Sequence, residues 1–239
     1  MSADTPVFEL LDLRFRYPGA PSDVLDLPRL QLARGQRLLL MGGSGCGKST
    51  LLSLVAGVLL ASAGRVRLLG QDWQSMRAGV RDERRVDHVG YVFQQFNLLP
   101  YLSVLDNVML PCRFSAVRRQ RALASHGKEL GAAQALLQAL DLESGLWRRD
   151  AASLSVGQQQ RVAVARALIG QPELVIADEP TSALDEDRRD AFMQLLGGEC
   201  ARSGCALLFV SHDRRLAGHF DQMLDLPALN RAARAGEAT

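Results

Sequence analysis

Eight consecutive residues, Gly42-Gly43-Ser44-Gly45-Cys46-Gly47-Lys48-Ser49, constrain this chain more than any other stretch. They follow a short apolar run, Arg37 to Met41, that suits a buried parallel strand. They precede Thr50 and then Leu51, Leu52, Val55, Val58 and Leu59, which recur at helical spacing. Strand, glycine-rich turn and helix therefore come in order, and the turn fits G-x-x-x-x-G-K-[ST]. Glycines let the main chain wrap closely and turn several N–H groups inward, making an anion nest. The helix that follows adds the positive end of its dipole. Lys48 offers a compact ammonium to phosphate oxygens, and Ser49 a hydroxyl to Mg²⁺. Of the 28 basic residues only Lys48 and Lys128 are lysines, so a chain that otherwise uses Arg places Lys where a point charge is needed.

Bulk properties narrow the classes. Hydrophobic residues make up 47% and charged residues 23%, enough for one large α/β domain with a real core. A net charge of +2 demands neither nucleic acid nor an anionic surface as partner. No run approaches the ~20 apolar residues that span a bilayer, and the polar start, Met1 to Pro6, does not read as a secretory signal. A soluble protein is expected, so any membrane span belongs to another chain. Cys46, Cys112, Cys200 and Cys205 are scattered without metal-ligand spacing and fit reduced thiols. Cys200 and Cys205 are near enough to pack together.

Val7 to Tyr17 alternates, with Val7, Leu11, Leu13, Phe15 and Tyr17 assigned to one face of a strand that Pro18-Gly19 ends. Val66 to Leu69, Val89 to Phe93, Leu174 to Ala177 and Leu207 to Val210 read as further strands. Between them, Pro100 and Pro111 bracket one segment, and the Ala-, Leu- and Arg-rich stretch from Val117 to Leu142 is helical, with Ala133, Leu136, Leu137 and Leu140 on its apolar face. Strands alternating with helices imply a mostly parallel sheet, whose ligands sit beyond the strands' carboxyl ends. The polar residues at 42–49, Asp178-Glu179 and His212 all fall at such ends and are expected to converge. Asp178, after an apolar strand, is placed to hold Mg²⁺, and Glu179 to polarise an attacking water as general base. Ser155 and Gln158, ahead of a helix running to about Ile169, have the spacing of a capping box. With Gly157 beside them, that helix start is also a phosphate-binding candidate.

Taken together these segments resemble the ABC ATPase family along essentially the whole chain. Leu154-Ser155-Val156-Gly157-Gln158 is similar to its signature sequence, and Asp178-Glu179-Pro180-Thr181-Ser182-Ala183-Leu184-Asp185 to its Walker B and D-loop run. Val92-Phe93-Gln94 resembles the Q-loop, Val210-Ser211-His212-Asp213 the switch-histidine segment, and Tyr17 stands where the family stacks an aromatic on adenine. The resemblance implies a P-loop NTPase (RecA-like) α/β core over 1–94 and 171–229, with an N-terminal antiparallel β part. It also implies an inserted helical subdomain over 95–170 carrying the signature loop, all within a single domain of 1–239 whose tail, 230–239, is expected to be flexible. It implies an ATPase that uses ATP and Mg²⁺.

By the same resemblance, Tyr17, Gly42, Gly43, Ser44, Gly45, Cys46, Gly47, Lys48, Ser49 and Thr50 hold ATP, and Ser155, Gly157 and Gln158 hold the ATP of a second subunit. Ser49, Gln94 and Asp178 form the Mg²⁺ side, while Glu179, His212 and Gln94 act in hydrolysis. Two copies, most simply a homodimer, would sandwich two ATP molecules head to tail with Asp185 near the seam. The family usually has a second glycine where Val156 stands, and a β-branched residue restricts the backbone there.

Residues Phe93 to Pro100 and Leu102 to Val108 most resemble the lipoprotein-release and macrolide-exporter branch. That implies a permease gripped around Gln94 to Val108 and a position on the inner face of the bacterial cytoplasmic membrane. A nucleic-acid-handling ABC ATPase usually carries a long coiled-coil insertion or two tandem ATPase domains, and this sequence has neither. A branch that signals to cell-wall enzymes stays open.

Overall fold

The computed structural model describes residues 5–182 and 184–232. In chain order the elements are β1 (Phe8–Phe15), β2 (Leu25–Leu32), β3 (Arg37–Met41), α1 (Lys48–Val55), β4 (Ala63–Leu68), β5 (Gln71–Asp72), α2 (Ala78–His88) and β6 (Val89–Val92). There follow α3 (Val104–Phe114), α4 (Ala116–His126), α5 (Glu129–Ala139), α6 (Val156–Leu168), β7 (Leu174–Asp178), α7 (Glu186–Ser203), β8 (Ala206–Val210), β9 (Gln222–Asp225) and α8 (Leu226–Leu229). The described residues fall into two compact units, one drawn from 1–85 and 208–239, the other from 86–207.

In the first unit, β2, β1, β4 and β5 lie side by side in that order, antiparallel throughout. The apolar alternation of β1 does not run straight through. Phe8 and Leu10 are buried, then Leu13 and Phe15, because Asp12 takes a left-handed backbone (φ 46°) and the ladder to β4 shifts register between Leu11 and Arg14. Leu11 thus leaves the face that strict alternation assigns it. Pro28 sits inside β2, where its missing N–H is tolerated because β2 is an edge strand. The last residues of β8, then β3 and β9, form the parallel part of this unit. Leu38, Leu39 and Leu40 are fully buried, as expected of a strand covered on both faces.

α1 is shorter than its apolar spacing suggests. It stops at Val55, where the indole N–H of the buried Trp73 donates to the Val55 carbonyl (3.1 Å), and Val58 is 59% exposed. Asn230 is an anchor rather than the start of a loose tail. It is buried, its carboxamide oxygen accepts from the Asp26 N–H (2.8 Å), and its NH₂ donates to the Val24 carbonyl (2.9 Å). Positions 233–239 of the expected tail lie outside the described residues.

In the second unit β6 pairs in parallel with β7, and the first residues of β8 lie on the other side of β7. Leu174 to Ala177 are fully buried. The helical residues follow their caps. Ser103 caps α3 through the Asp106 N–H, Ser115 caps α4 through the Arg118 N–H, and Gly127 ends α4 in the left-handed region. Pro111 lies within α3 rather than closing it. α7 ends in a Schellman turn, with Gly204 N–H on the Ala201 carbonyl and Cys205 N–H on the Cys200 carbonyl. That turn brings the free thiols of Cys200 and Cys205 into contact.

Glu173, just before β7, ties this unit together. Its carboxylate meets the His88 ring (2.8 Å) and accepts from the Arg121 guanidinium (2.7 Å), and it is 7% exposed. Burial alone would raise its pKa, but hydrogen bonds and charge from His88 and Arg121 outweigh that and hold it at about 2, against an ordinary 4.5. A carboxylate depressed in the folded state stabilises above its unfolded pKa, and the contribution is lost as pH falls toward the folded value. Glu173→Gln is therefore expected to lower stability by about 2 kcal/mol near pH 6. In urea titrations the gap from the native protein should shrink steadily below pH 4.5 and be nearly gone close to pH 2. A gap unchanged across that window would mean the carboxylate is not selectively stabilised.

Candidate active site

The phosphate loop, Tyr17 and His212 belong to the first unit. β3 delivers the chain to Gly42, and Gly45 (φ 78°) and Gly47 (φ 99°) adopt left-handed backbones that a side chain would strain. Gly47 is also the residue before α1, which has no side-chain cap and no acid in its first turn. Its first amides are thus not claimed by a capping side chain, and the positive dipole end faces the loop. Lys48, 9% exposed, curls over the loop and donates through Nζ to the carbonyls of Gly42 and Gly43, both at 2.8 Å.

The Tyr17 hydroxyl lies 3.0 Å from Thr50 Oγ1, and its ring meets Phe15 edge-on at 4.8 Å. Tyr17 is 43% exposed, which leaves it accessible for stacking. His212 follows β8, where the Ser211 N–H donates to the Leu40 carbonyl (3.2 Å). It is therefore held beside the strand that feeds the phosphate loop.

Gln94, the signature segment, Asp178 and Glu179 belong to the second unit. The register Val92↔Ala177 puts Gln94 and the Asp178-Glu179 pair at the carboxyl ends of neighbouring parallel strands. Asp178 ends β7, and Glu179 then takes a left-handed backbone (φ 45°) that turns the chain out of the strand line. Such strain in a non-glycine residue persists only where surrounding structure enforces it. Part of that support comes from Gln160 on α6, whose Nε2 donates to the Pro180 carbonyl (2.9 Å).

Arg166, also on α6, donates to the carbonyls of Phe96 and Asn97, two left-handed residues just after Gln94. Burial lowers its pKa. Sequence reading assigns no role to Gln160 or Arg166. Their only signal is burial on a helix, which becomes visible after folding.

Ser155 and Gln158 close a full capping box at the start of α6: the Gln158 N–H reaches Ser155 Oγ (3.4 Å) and the Ser155 N–H reaches Gln158 Oε1 (2.9 Å). Val156 is the first residue of that helix and 53% exposed. Its backbone is not left-handed, so valine alters what the helix tip presents rather than the path of the chain. A Cβ placed on Gly157 would touch nothing within 4 Å, so nothing around it in this chain requires glycine there. A cavity of about 660 Å³ opens beside this tip, lined in part by Ser155, Val156, Gly157 and Arg161.

Tyr91, on β6, likewise has no role legible in the sequence. Burial, then the charge of Asp178 and a hydrogen bond to it, push the Tyr91 phenol well above its usual pKa, so it stays a neutral donor. Phe93 stacks on the Tyr91 ring with centroids 4.2 Å apart. Among the described residues no helix is long and apolar enough to cross a membrane.

The sequence profile of the ABC transporter family matches residues 25–182. The lipoprotein-releasing system ATP-binding protein LolD of Chromohalobacter salexigens is 36% identical over 234 residues, covering 94% of this chain and 95% of that protein. The macrolide export ATP-binding/permease protein MacB of Shigella flexneri is 35% identical over 224 residues, which are 93% of this chain but 33% of that longer protein. Among solved structures, the dimeric post-hydrolysis state of the ATP-binding cassette MJ0796, bound to ADP and Pi, superposes with a TM-score of 0.74. It is 31% identical, and the match covers 92% of this chain and 94% of that one.

Proposed function

Since the chain belongs to the ABC transporter family as an ATP-binding and ATP-hydrolysing cassette, we propose that two copies close head to tail on ATP and thereby work a membrane permease of the lipoprotein-release or macrolide-export kind. Two features of the one chain support this reading as complementary half-sites. One is the glycine-lined loop under Lys48. The other is the α6 tip, where Gly157 has open space around it, as a surface made to meet a second subunit would. The MJ0796 cassette is itself dimeric, and LolD matches this chain over nearly its whole length.

The roles follow from chemistry. Loop amides and the start of α1 bind phosphate oxygens, and Lys48 swings from two neutral carbonyls to a stronger anionic partner. Tyr17, steadied by Thr50, stacks on the adenine. Ser49, Gln94 and Asp178 offer only oxygen donors, the set that suits Mg²⁺, which keeps its waters and takes one or two carboxylates beside the phosphates. When bound, Mg²⁺ would neutralise charge building on the phosphate oxygens.

Glu179 takes a proton from the attacking water, and His212 contacts the γ-phosphate. Ser155, Gly157 and Gln158 meet the nucleotide held by the other copy. The segment from Gln94 to Val108, with Tyr101 exposed and Phe93 exposed just ahead of it, is the surface for the permease. The chain would then sit on the inner face of the cytoplasmic membrane, with no nucleic acid as partner.

Size-exclusion chromatography of the Glu179→Gln protein tests the sandwich. Removing the base should trap the closed state, giving dimer with Mg-ATP and monomer without nucleotide. A protein that binds ATP yet stays monomeric would mean either that closure needs the permease or that the Val156-bearing tip has weakened its half-site, and in the second case the homodimer reading falls.

A further inference from the structure

The β6–β7 register places an aromatic hydroxyl on a carboxylate that the family resemblance treats in isolation. Tyr91 pairs with Ile176, so the two side chains share a face of the sheet. Asp178 lies two residues beyond Ile176 and returns to that face. A diagonal neighbour at this separation is within reach of a long aromatic side chain, and the Tyr91 hydroxyl does hydrogen-bond to Asp178. Phe93, again on the same face, stacks against the Tyr91 ring at 4.2 Å and an interplanar angle of 27°, which limits how the ring can turn.

We propose that Tyr91 is a positioning residue for Asp178: its hydroxyl donates to one carboxylate oxygen and so directs the other toward Mg²⁺. This rests on the reading of Asp178 as the magnesium-side carboxylate. A phenylalanine would fill the same space and keep the stack on Phe93, so the hydroxyl alone carries the effect. An aspartate at a strand end can turn about its own bonds, and a fixed donor removes that freedom before the ion arrives. Outer donors of this kind typically change metal affinity by about tenfold or more when removed.

The test uses the full chain with Mn²⁺ as probe, free Mn²⁺ being followed by its electron paramagnetic resonance signal in the presence of ATPγS. Tyr91→Phe should weaken Mn²⁺ binding by about tenfold. Nucleotide affinity in EDTA and the thermal midpoint should stay close to those of the native protein. A packing role alone would lower the midpoint and leave Mn²⁺ affinity where it was. Asp178→Asn, measured alongside, separates the two levels. If it weakens Mn²⁺ binding and Tyr91→Phe does not, the positioning role is overturned while the metal-side reading stands. If neither variant weakens it, Asp178 does not face the metal and both fall.

Discussion

Lys48→Ala is expected to cost ATP affinity about a hundredfold or more, measured by fluorescence titration with a nucleotide analogue in EDTA. The reason is the position of the ammonium. Lys48 is 9% exposed and its Nζ is held at 2.8 Å from two loop carbonyls, Gly42 and Gly43. It is thus already aimed at the loop before any phosphate arrives. Truncating one partner of a buried charged pair costs about 2–5 kcal/mol of binding.

Lys48→Arg should rescue little, because a planar fork does not replace a compact point charge in so tight a loop. The contrast with Glu179→Gln is diagnostic. That variant should keep nucleotide affinity and lose hydrolysis by about a hundredfold or more. If Lys48→Ala bound ATP as well as the native protein, the loop would not be the phosphate site.

A large loss of stability is expected at Gly90. This residue lies in β6, and a Cβ added there would strike the Ala167 carbonyl of α6. Backbone meets backbone, so no flexible side chain can move aside, and the helix or the strand must shift. Overpacking of this kind costs about 1–3 kcal/mol and occasionally more. Gly90→Ala is placed at about 3 kcal/mol, to be read as a lower urea midpoint with little change in slope.

A functional signature should accompany it. Arg166 stands next to Ala167 and holds the carbonyls of Phe96 and Asn97, so displacing α6 would also loosen the segment after Gln94. ATPase activity per folded molecule should therefore fall as well. A change below about 1 kcal/mol would show that the helix yields easily and that the close approach does not constrain it.

Several local expectations failed where a neighbour overruled them. The strict alternation of β1 breaks at Asp12, since the ladder to β4 carries an irregularity that no single strand encodes. α1 stops at Val55, although apolar spacing continues to Leu59, because Trp73 closes over its end. β2 has a proline in its middle, which argues against a strand until its edge position is known. α2 contains no buried residue and α7 carries Gly197 and Gly198, so neither shows a clear apolar stripe.

The sequence by itself determined the local features that depend on neighbours in the chain. Glycines at 42, 43, 45 and 47, the lysine after them, the capping box at Ser155 and Gln158, and the carboxylates after an apolar strand are all short-range features. Their backbone demands and charges act within a few residues, so spacing alone reveals them. Only the tertiary structure decided which side chains hold those groups in place. Tyr91 reaches Asp178 through a strand register, and Arg166 and Gln160 reach loops that are 70 and 20 residues away in the chain. Such contacts depend on how strands pair and helices dock, which is set by burial summed over the whole core and is written in no single segment.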